Sequence, residues 1–265
     1  MAGRSAGAGR ARRGLRTAIV RFLITLAVVA AFGGVAYAGV RASQDPRLAL
    51  GQVDVSGCSR SSAAEVLSAA TLPSGANIWL LDTRSAVKRI ESLPWTNTAT
   101  ISRAWPNRVS VSVVERRPAA RLDLAAAGSA EEPLAGRALL DSKMHVLAIG
   151  PDDPRDVGLP EIDVAGLPAA AVTAGADLSN TDAAVAYQAY RTLQTAGLTV
   201  RSIDIGGATG IGVETADHLR VLFGAPDGLA QKVQLYRLIA VKIASPRNVA
   251  YVDLRSARAP TVLFR

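Results

Sequence analysis

Residues suited to catalysis or metal binding are few and far apart in this chain of 265 residues. It has two histidines, His145 and His218, and one cysteine, Cys58. A zinc hydrolase typically carries two histidines and a glutamate as H-E-x-x-H on one helix, and that pattern does not occur. Neither histidine has an acidic or thiol partner at ligand spacing in the sequence. A lone thiol is most simply a small apolar residue.

A glycine-rich stretch and two acidic pairs are the other candidates for a site. The stretch GGATGIG, 206–212, follows a predicted strand, as a phosphate-binding loop would. Another strand is predicted after it, so the helix N-terminus that would hold a phosphate is missing. The pairs Glu131-Glu132 and Asp152-Asp153 fall in predicted loops, where they are better read as solvated than as a glycosidase dyad. We therefore predict no catalytic, cofactor-binding or metal site.

The positive charge of the chain is concentrated at its N-terminus. The formal net charge is +8, and residues 1–21 contribute +6 of it through six arginines and no acid. A nucleic-acid-binding protein would be expected to carry its basic patch on a folded domain. A basic tail beside an apolar run is better explained by attraction to anionic lipid head groups than by binding to nucleic acid. The charge pattern therefore predicts a membrane partner and no nucleic-acid partner.

The apolar run beside this tail, FLITLAVVAAFGGVAYAGV from Phe22 to Val40, contains no charge. As a helix it would span roughly 28 Å, close to the thickness of the bilayer core. The arginine bias predicts that residues 1–21 are cytoplasmic and that 42–265 are exported. A cleaved signal peptide is the alternative, because Ala36-Tyr37-Ala38 fits the small-x-small cleavage pattern. The apolar run continues past that site, which favours a permanent transmembrane helix.

Residues 47–118 are predicted to form a small domain with the order β-α-α-β-β. Ser62 and Glu65 have the spacing of a capping box at the start of the first helix. Asp82 is a suitable N-cap for the second helix. A hairpin around Trp105-Pro106-Asn107 follows, and we expect Trp105 to be largely buried. Alternate residues of its second strand are apolar and share one face, namely Val109, Val111 and Val113.

Residues 119–265 are predicted to form a larger mixed domain with a mainly antiparallel sheet. A strand comes first, then a loop at 125–136 and a hairpin around Ser142-Lys143-Met144. After a second loop at 151–158 and a short extended segment, a helix is predicted from Asp182 to Thr195. Three more strands, at 200–205, 210–214 and 219–223, precede a helix from Pro226 to about Ala244, and further strands complete the domain. The fold class is therefore α+β behind a transmembrane helix.

Several segments resemble the FtsQ/DivIB family of bacterial cell-division proteins. The segments LPW and RAWPNRVSVSVVERRPAA, between Leu93 and Ala120, are very like the POTRA domain of that family. Further along, LLDSKMHVL, LPEI, LRVLFGAPDGLAQKVQLYRLIA and YVDLR are similar to the family's second domain, in the same order. The resemblance covers the membrane segment and nearly all of 47–264. The alanine-rich composition suggests a GC-rich genome, and hence an actinobacterial member.

The resemblance implies a scaffold of the divisome and not an enzyme. Such proteins link cytoplasmic division-ring components to septal cell-wall synthesis through contacts outside the cytoplasm. Their usual partners are small bitopic proteins, FtsL-like and FtsB/DivIC-like, and no cofactor is implied. A membrane-anchored extracytoplasmic hydrolase with an unrecognised active site is the alternative. Assays with cell-wall and peptide substrates would separate the two.

The predicted partner site lies at the edge of the second sheet. A sheet edge accepts a strand from a partner through main-chain hydrogen bonds. The residues assigned to this site are Tyr251, Asp253, Arg255, Thr261, Val262, Leu263 and Phe264. The alternative for the strand Thr261–Phe264 is that it only closes the core of its own domain, and one strand can do both. The second candidate is the pair Arg116 and Arg117, for which a solvated strand end is the alternative.

Overall fold

The structure is a computed structural model that describes residues 7–124, 136–151, 153–243 and 248–265, with side chains from residue 21 onward except those of Ala42, Ala169 and Ala208. Predictions for residues 1–6, for nearly all of the loop 125–136 with Glu131-Glu132, for Asp152 and for the end of a helix at Ala244 lie outside the described residues.

The helix α1, Gly7–Ser43, contains the predicted membrane segment. Its stretch Arg21–Arg41 has a mean hydropathy of 2.1, and no part of that stretch is buried against the rest of the protein. At 1.5 Å per residue these 21 residues extend over roughly 32 Å, enough to cross a bilayer. The N-terminal apolar helix is thus confirmed and fits a single-pass membrane protein. Whether Ala36-Tyr37-Ala38 is cleaved stays a prediction.

A three-stranded sheet with two helices follows and confirms the order β-α-α-β-β. Its elements are β1 Gln52–Ser56, α2 Ala63–Ala70, α3 Thr83–Glu91, β2 Thr96–Ala104 and β3 Arg108–Glu115. The strand order is β1-β3-β2, with β1 parallel and β2 antiparallel to β3.

Local sequence explains where these elements begin and which face they bury. The hydroxyl of Ser62 accepts a hydrogen bond from Glu65 N at 3.1 Å, and the Asp82 carboxylate accepts one from Ser85 N at 3.1 Å. Both satisfy backbone donors of a first helical turn. The alternating valines of β3 are buried as predicted and meet Val66, Ile78 and Ile90 in one apolar cluster.

The prediction that Trp105 is largely buried is wrong, because its side chain is 76 % exposed. The ladder between β2 and β3 ends at the pair Ala104 and Arg108, so Trp105 already belongs to the turn. A residue outside the ladder no longer alternates into the buried face of the sheet. The loss of about 3–5 kcal/mol that a buried tryptophan would imply for Trp105→Ala therefore no longer follows.

Among the described residues, nine strands form the second sheet. They are β4 Pro118–Asp123, β5 Arg137–Asp141, β6 Val146–Gly150, β7 Glu161–Val164, β8 Val200–Gly206, β9 Gly210–Thr215, β10 Arg220–Gly224, β11 Val249–Asp253 and β12 Thr261–Phe264. Their order is β12-β11-β10-β9-β8-β7-β4-β5-β6. Only β4–β7, β7–β8 and β10–β11 are parallel pairs, which confirms a mainly antiparallel sheet.

Two helices pack on this sheet, α4 Asp182–Thr195 and α5 Leu229–Ala240. The bounds of α4 are those predicted, and Thr181 caps it by accepting from Ala183 N. The helix α5 begins after Gly228, later than the predicted start at Pro226. The sheet and both helices enclose an apolar cluster separate from that of the first sheet. The predicted domain limits of 47–118 and 119–265 remain a proposal consistent with these two cores.

Candidate functional site: the edge strand and the junction of the two sheets

The strand β12 forms one edge of the second sheet. It pairs antiparallel with β11, where Leu263 lies opposite Tyr251 and Val262 lies opposite Val252. In the described part of the chain, no strand pairs with its outer side. The edge position predicted for Thr261–Phe264 is the one that the structure has.

The hydrogen bonds of β12 show which of its backbone groups face outward. Arg265 N donates to Asn248 O at 2.9 Å, so the backbone of residue 265 faces β11. Backbone groups of successive residues in an antiparallel strand point to opposite sides. The N–H and C=O of Leu263 therefore face β11, and those of Val262 and Phe264 face away from it. These outward groups are the ones that an added strand would bond.

The side chains of β12 divide between the core and solvent. Val262 packs partly buried against the core of the second sheet. Leu263 and Phe264 are 47 % and 64 % exposed. The strand therefore contributes one side chain to its own domain and leaves two large apolar side chains uncovered. Free backbone groups beside an uncovered apolar edge are what strand addition requires.

Three more residues of the predicted site lie on or just after β11. Tyr251 is half-buried opposite Leu263. Arg255 turns back onto Asp253, with Nη2 2.7 Å from Oδ2, and this side-chain hydrogen bond lowers the pKa of Asp253. The structure thus brings Tyr251, Asp253, Arg255 and β12 together at one edge of the sheet.

Arg116 and Arg117 lie elsewhere, between the two sheets. Arg116 donates to Thr96 O at 3.1 Å and to Asp141 Oδ2 at 2.8 Å. Its side chain is 16 % exposed and that of Asp141 only 7 %. The neighbouring Arg117 is exposed. Arg116 therefore has an internal role that the sequence did not reveal, and partner binding by this pair stays a prediction.

A second arginine also bridges the two sheets. Arg60, from the segment between β1 and α2, places Nη2 2.7 Å from Asp156 Oδ1 and Nη1 3.3 Å from Asp153 Oδ2. Its guanidinium carbon also lies 5.1 Å from the centroid of the Trp95 ring. This ring is half-buried, and its stacking with Arg60 is a favourable cation–π arrangement. Trp95 thus serves the junction, as a structural anchor rather than an isolated surface ring.

Glu115, the last residue of β3, holds the segment that carries Arg60. Its carboxylate accepts hydrogen bonds from the backbone N–H groups of Ser59, Arg60 and Ser61, at 2.8 to 3.1 Å, and from the Ser59 hydroxyl. Partial burial opposes ionisation of Glu115, but these donors outweigh it and lower its pKa to about 2. The glutamate that precedes the two arginines therefore fixes a loop some 55 residues away.

Lys232 is another residue whose position the sequence did not reveal. It is a buried lysine of α5 that donates from Nζ to Phe223 O at 2.6 Å and to Ala225 O at 3.0 Å. These carbonyls belong to the end of β10 and the turn after it, and β10 is the strand that pairs with β11. A buried cation is tolerated when carbonyl oxygens replace its water. Lys232 thus supports the sheet just behind its candidate edge.

The two histidines form no metal site with the described residues around them. The expectation that both lack an acidic partner is wrong for His218, whose Nδ1 lies 2.7 Å from Glu214 Oε1. Arg201 approaches the same carboxylate to 3.9 Å, and within the His218–Glu214 pair the histidine is exposed and the glutamate half-buried. His145 is half-buried, and burial lowers its pKa. A positive arginine beside the His218 ring opposes a cation there.

Three carboxylates on neighbouring strands, Asp123, Glu161 and Asp163, can each place an oxygen within 4.8 Å of the others. Oxygen ligands suit Mg²⁺ or Ca²⁺. Arg137 already contacts Glu161, with Nη2 3.0 Å from Oε1, and supplies positive charge to the group. All three residues are only half-buried, so we assign no cation to them.

The charged form of Asp163 is disfavoured within this group of carboxylates. Burial, followed by the charges of Glu161, Asp123 and Asp204 and opposed by Arg220, raises its pKa to about 6. Between pH 4 and 6 the folded state therefore binds more protons than the unfolded state, and the free energy of unfolding falls as the pH rises.

We expect Asp163→Asn to raise the free energy of unfolding at pH 7 by about 1 kcal/mol, a value reduced for partial exposure, and by less at pH 4. Urea unfolding with a chelator present would measure both values. Asp227→Asn, at an exposed position, is the control and should change neither. Equal effects of Asp163→Asn at pH 4 and pH 7 would contradict the assignment.

The fold and its junction define a class of protein: an apolar N-terminal helix, a POTRA-type βααββ domain and a larger, mainly antiparallel sheet domain. Comparison with known families agrees. The family described as "POTRA domain, FtsQ-type" matches residues 48–116, and the one described as "Cell division protein FtsQ/DivIB, C-terminal" matches residues 133–255. The chain belongs to the FtsQ/DivIB family of cell-division proteins. The strand β12 lies beyond the second match.

Three relatives are each described as "Cell division protein FtsQ". The one from Myxococcus fulvus is 41% identical over 75 residues, 28% of this chain and 26% of its own length. The one from Corynebacterium glutamicum is 35% identical over 85 residues, 32% and 38% of the two chains. The one from Anaeromyxobacter sp. (strain K) is 32% identical over 117 residues, 44% and 40%. The chain therefore spans two fifths or less of these relatives.

Proposed function

We propose that this division protein is a scaffold that links cytoplasmic division-ring components to septal cell-wall synthesis by protein–protein contacts, without enzymatic activity. The observation that carries the proposal is the uncovered edge at β12, where outward backbone groups lie beside the exposed Leu263 and Phe264. The proposed occupant is a strand of an FtsB/DivIC-like bitopic protein, with an FtsL-like protein in the same complex. Robust turnover in cell-wall or peptide hydrolase assays would instead support the alternative of an anchored hydrolase.

The proposed topology places residues 1–21 in the cytoplasm and residues 42–265 outside it, at the division septum. Its support is the arginine bias on one side of the apolar helix. A fusion after Arg265 to a reporter that works only outside the cytoplasm is expected to be active. Activity of a reporter that works only in the cytosol would contradict this topology.

Proline at position 264 provides a sharp test of strand addition. Phe264→Pro removes an outward N–H while leaving the inward bonds of Leu263 and Arg265 in place, and proline is tolerated at a sheet edge. We expect the affinity for the FtsB/DivIC-like partner to fall by about tenfold or more. One main-chain hydrogen bond to the partner is lost, and the proline ring keeps the partner's strand from approaching closely. Titration of the full chain with the partner's extracytoplasmic segment measures this.

Phe264→Ala is the matched control, since it loses the side chain but keeps the N–H. It should bind more tightly than Phe264→Pro. Leu263→Pro, which removes a bond to β11, should lower stability, whereas Phe264→Pro should not. Unchanged binding by Phe264→Pro would remove β12 as the site and move the search to the first sheet.

A further inference from the structure

Three large apolar side chains are exposed on the two loops that lie nearest the end of α1. Trp79 and Leu80, between α2 and α3, are 55 % and 71 % exposed, and Trp105, in the turn after β2, is 76 % exposed. We call Trp79, Leu80 and Trp105 the apolar tip. Exposed apolar side chains that lie close together, in contrast to scattered single ones, mark a surface that contacts a protein or a membrane.

Hydrogen bonds tie the first of these loops to the end of the membrane helix. Asn77 Nδ2 donates to Ser43 O at 3.0 Å, and Ile78 N donates to Leu48 O at 2.9 Å. The candidate membrane span ends at Arg41, two residues before Ser43. Trp79 and Leu80 are therefore held next to the point where the chain leaves the apolar span.

The second loop is tied to the same connection. Gly51 N donates to Asn107 O at 3.0 Å, so the turn that contains Trp105 also lies against the segment between α1 and β1. Arg103, near the end of β2 and two residues before Trp105, donates to Ile78 O at 2.6 Å and to Leu81 O at 2.8 Å. These bonds tie the strand that leads into the turn to the first loop. The apolar tip is thus supported from both sides and does not depend on free loops.

The chemistry of this end of the protein suits the boundary between head groups and acyl chains. Tryptophan rings are enriched at that depth, because the ring is apolar while its N–H can bond to water or head groups. Tyr37 and Arg41 lie together at the end of α1, with Nε 3.0 Å from the hydroxyl, as interfacial anchors do. Arg47 and Arg108 are exposed on the connecting segment and on β3 near the tip, and can meet lipid phosphates.

We propose that the apolar tip inserts into the interfacial layer of the same bilayer that α1 crosses, and that it holds the first sheet against the membrane surface. The proposal rests on a retained α1 and does not depend on a particular division partner. The occupant is lipid, because the tip is joined by short hydrogen-bonded segments to the end of a membrane span. The domain would then be oriented by two attachments, the helix and the tip.

Fluorescence quenching by lipid tests the insertion, and the chain contains a matched control. It has three tryptophans, and Trp95 lies under Arg60 at the junction of the sheets. Three variants of the full chain each keep one tryptophan and carry phenylalanine at the other two positions. Each is reconstituted in phospholipid vesicles with bromine in the upper part of the acyl chains, and its emission is compared with that in unbrominated vesicles.

We expect strong loss of emission for the Trp79-only and Trp105-only variants and little loss for the Trp95-only variant. An aqueous quencher should quench the emission of the Trp79-only and Trp105-only variants less in vesicles than in detergent. Circular dichroism confirms that each variant is folded. Lipid quenching of Trp79 and Trp105 no greater than that of Trp95 would overturn the proposal. Full access of both rings to the aqueous quencher in vesicles would also overturn it, and is the result expected if the tip is instead a docking surface for a protein that is absent from the vesicles.

Discussion

Glu115→Ala is expected to lower the free energy of unfolding by about 3 kcal/mol, because three backbone N–H groups of residues 59–61 lose a charged acceptor at once. These donors lie in the segment between β1 and α2, which pairs with no strand in the described part of the chain. The loop they form also presents Arg60 to Asp156 in the second sheet. Urea unfolding at pH 7 measures the loss. Glu65→Ala, at an exposed position of α2, is the control and should cost far less.

The pH dependence gives this prediction a second measurement. The pKa of Glu115 is about 2 in the folded protein, below its ordinary value of 4.5, because hydrogen bonds to the carboxylate outweigh its partial burial. Its stabilising contribution is therefore present above pH 4.5 and is lost as the pH falls towards 2. Glu115→Gln should lose stability at pH 7 and show a flatter curve between pH 4.5 and 2. A wild-type-like slope in that variant would contradict the role given to Glu115.

Elements whose limits are set by local chemistry could be predicted from the sequence. The helix Asp182–Thr195 has a capping threonine before it and Gly197, with φ +77°, after it, and both signals lie within a few residues. The burial of Val109, Val111 and Val113 follows from simple alternation in one strand. The edge position of β12 was also predictable, since β12 follows β11 directly in the chain and lies beside it at the end of the sheet.

Features that depend on distant segments could not be predicted. Trp105 was expected inside because tryptophan is apolar, yet its location depends on where the ladder between β2 and β3 stops. Glu115 finds its partners at residues 59–61, and Lys232 finds two carbonyls on another element. For Glu115 and Arg116 the available signal was the family-like run VVERRP, which gave no indication of what the charged side chains contact.

Arg116→Met is expected to lower the free energy of unfolding by about 3–5 kcal/mol, because it leaves the buried Asp141 carboxylate without its cation. Asp141 would keep hydrogen bonds from Lys143 N at 2.7 Å and His145 N at 2.9 Å, but both reach its other oxygen, Oδ1. Methionine keeps much of the apolar volume of the arginine stem, so the change reports mainly on charge. Arg117→Met, one residue further and exposed, should change stability by no more than about 0.5 kcal/mol.

A second substitution separates the charge effect from lost packing. In the Arg116→Met background, Asp141→Asn removes the unpaired negative charge while its carbonyl oxygen can still accept from Lys143 N and His145 N. The double variant should therefore be more stable than Arg116→Met alone, although Asp141→Asn by itself should destabilise the wild type by weakening the ion pair. Additive losses in this cycle would mean that Arg116 stabilises the junction by packing and by its bond to Thr96 O. With either outcome Arg116→Met changes the stability of the junction, so a change in its partner binding has two causes. Arg117→Met alters an exposed side chain and leaves the junction intact, and it is therefore the test of partner binding by this pair.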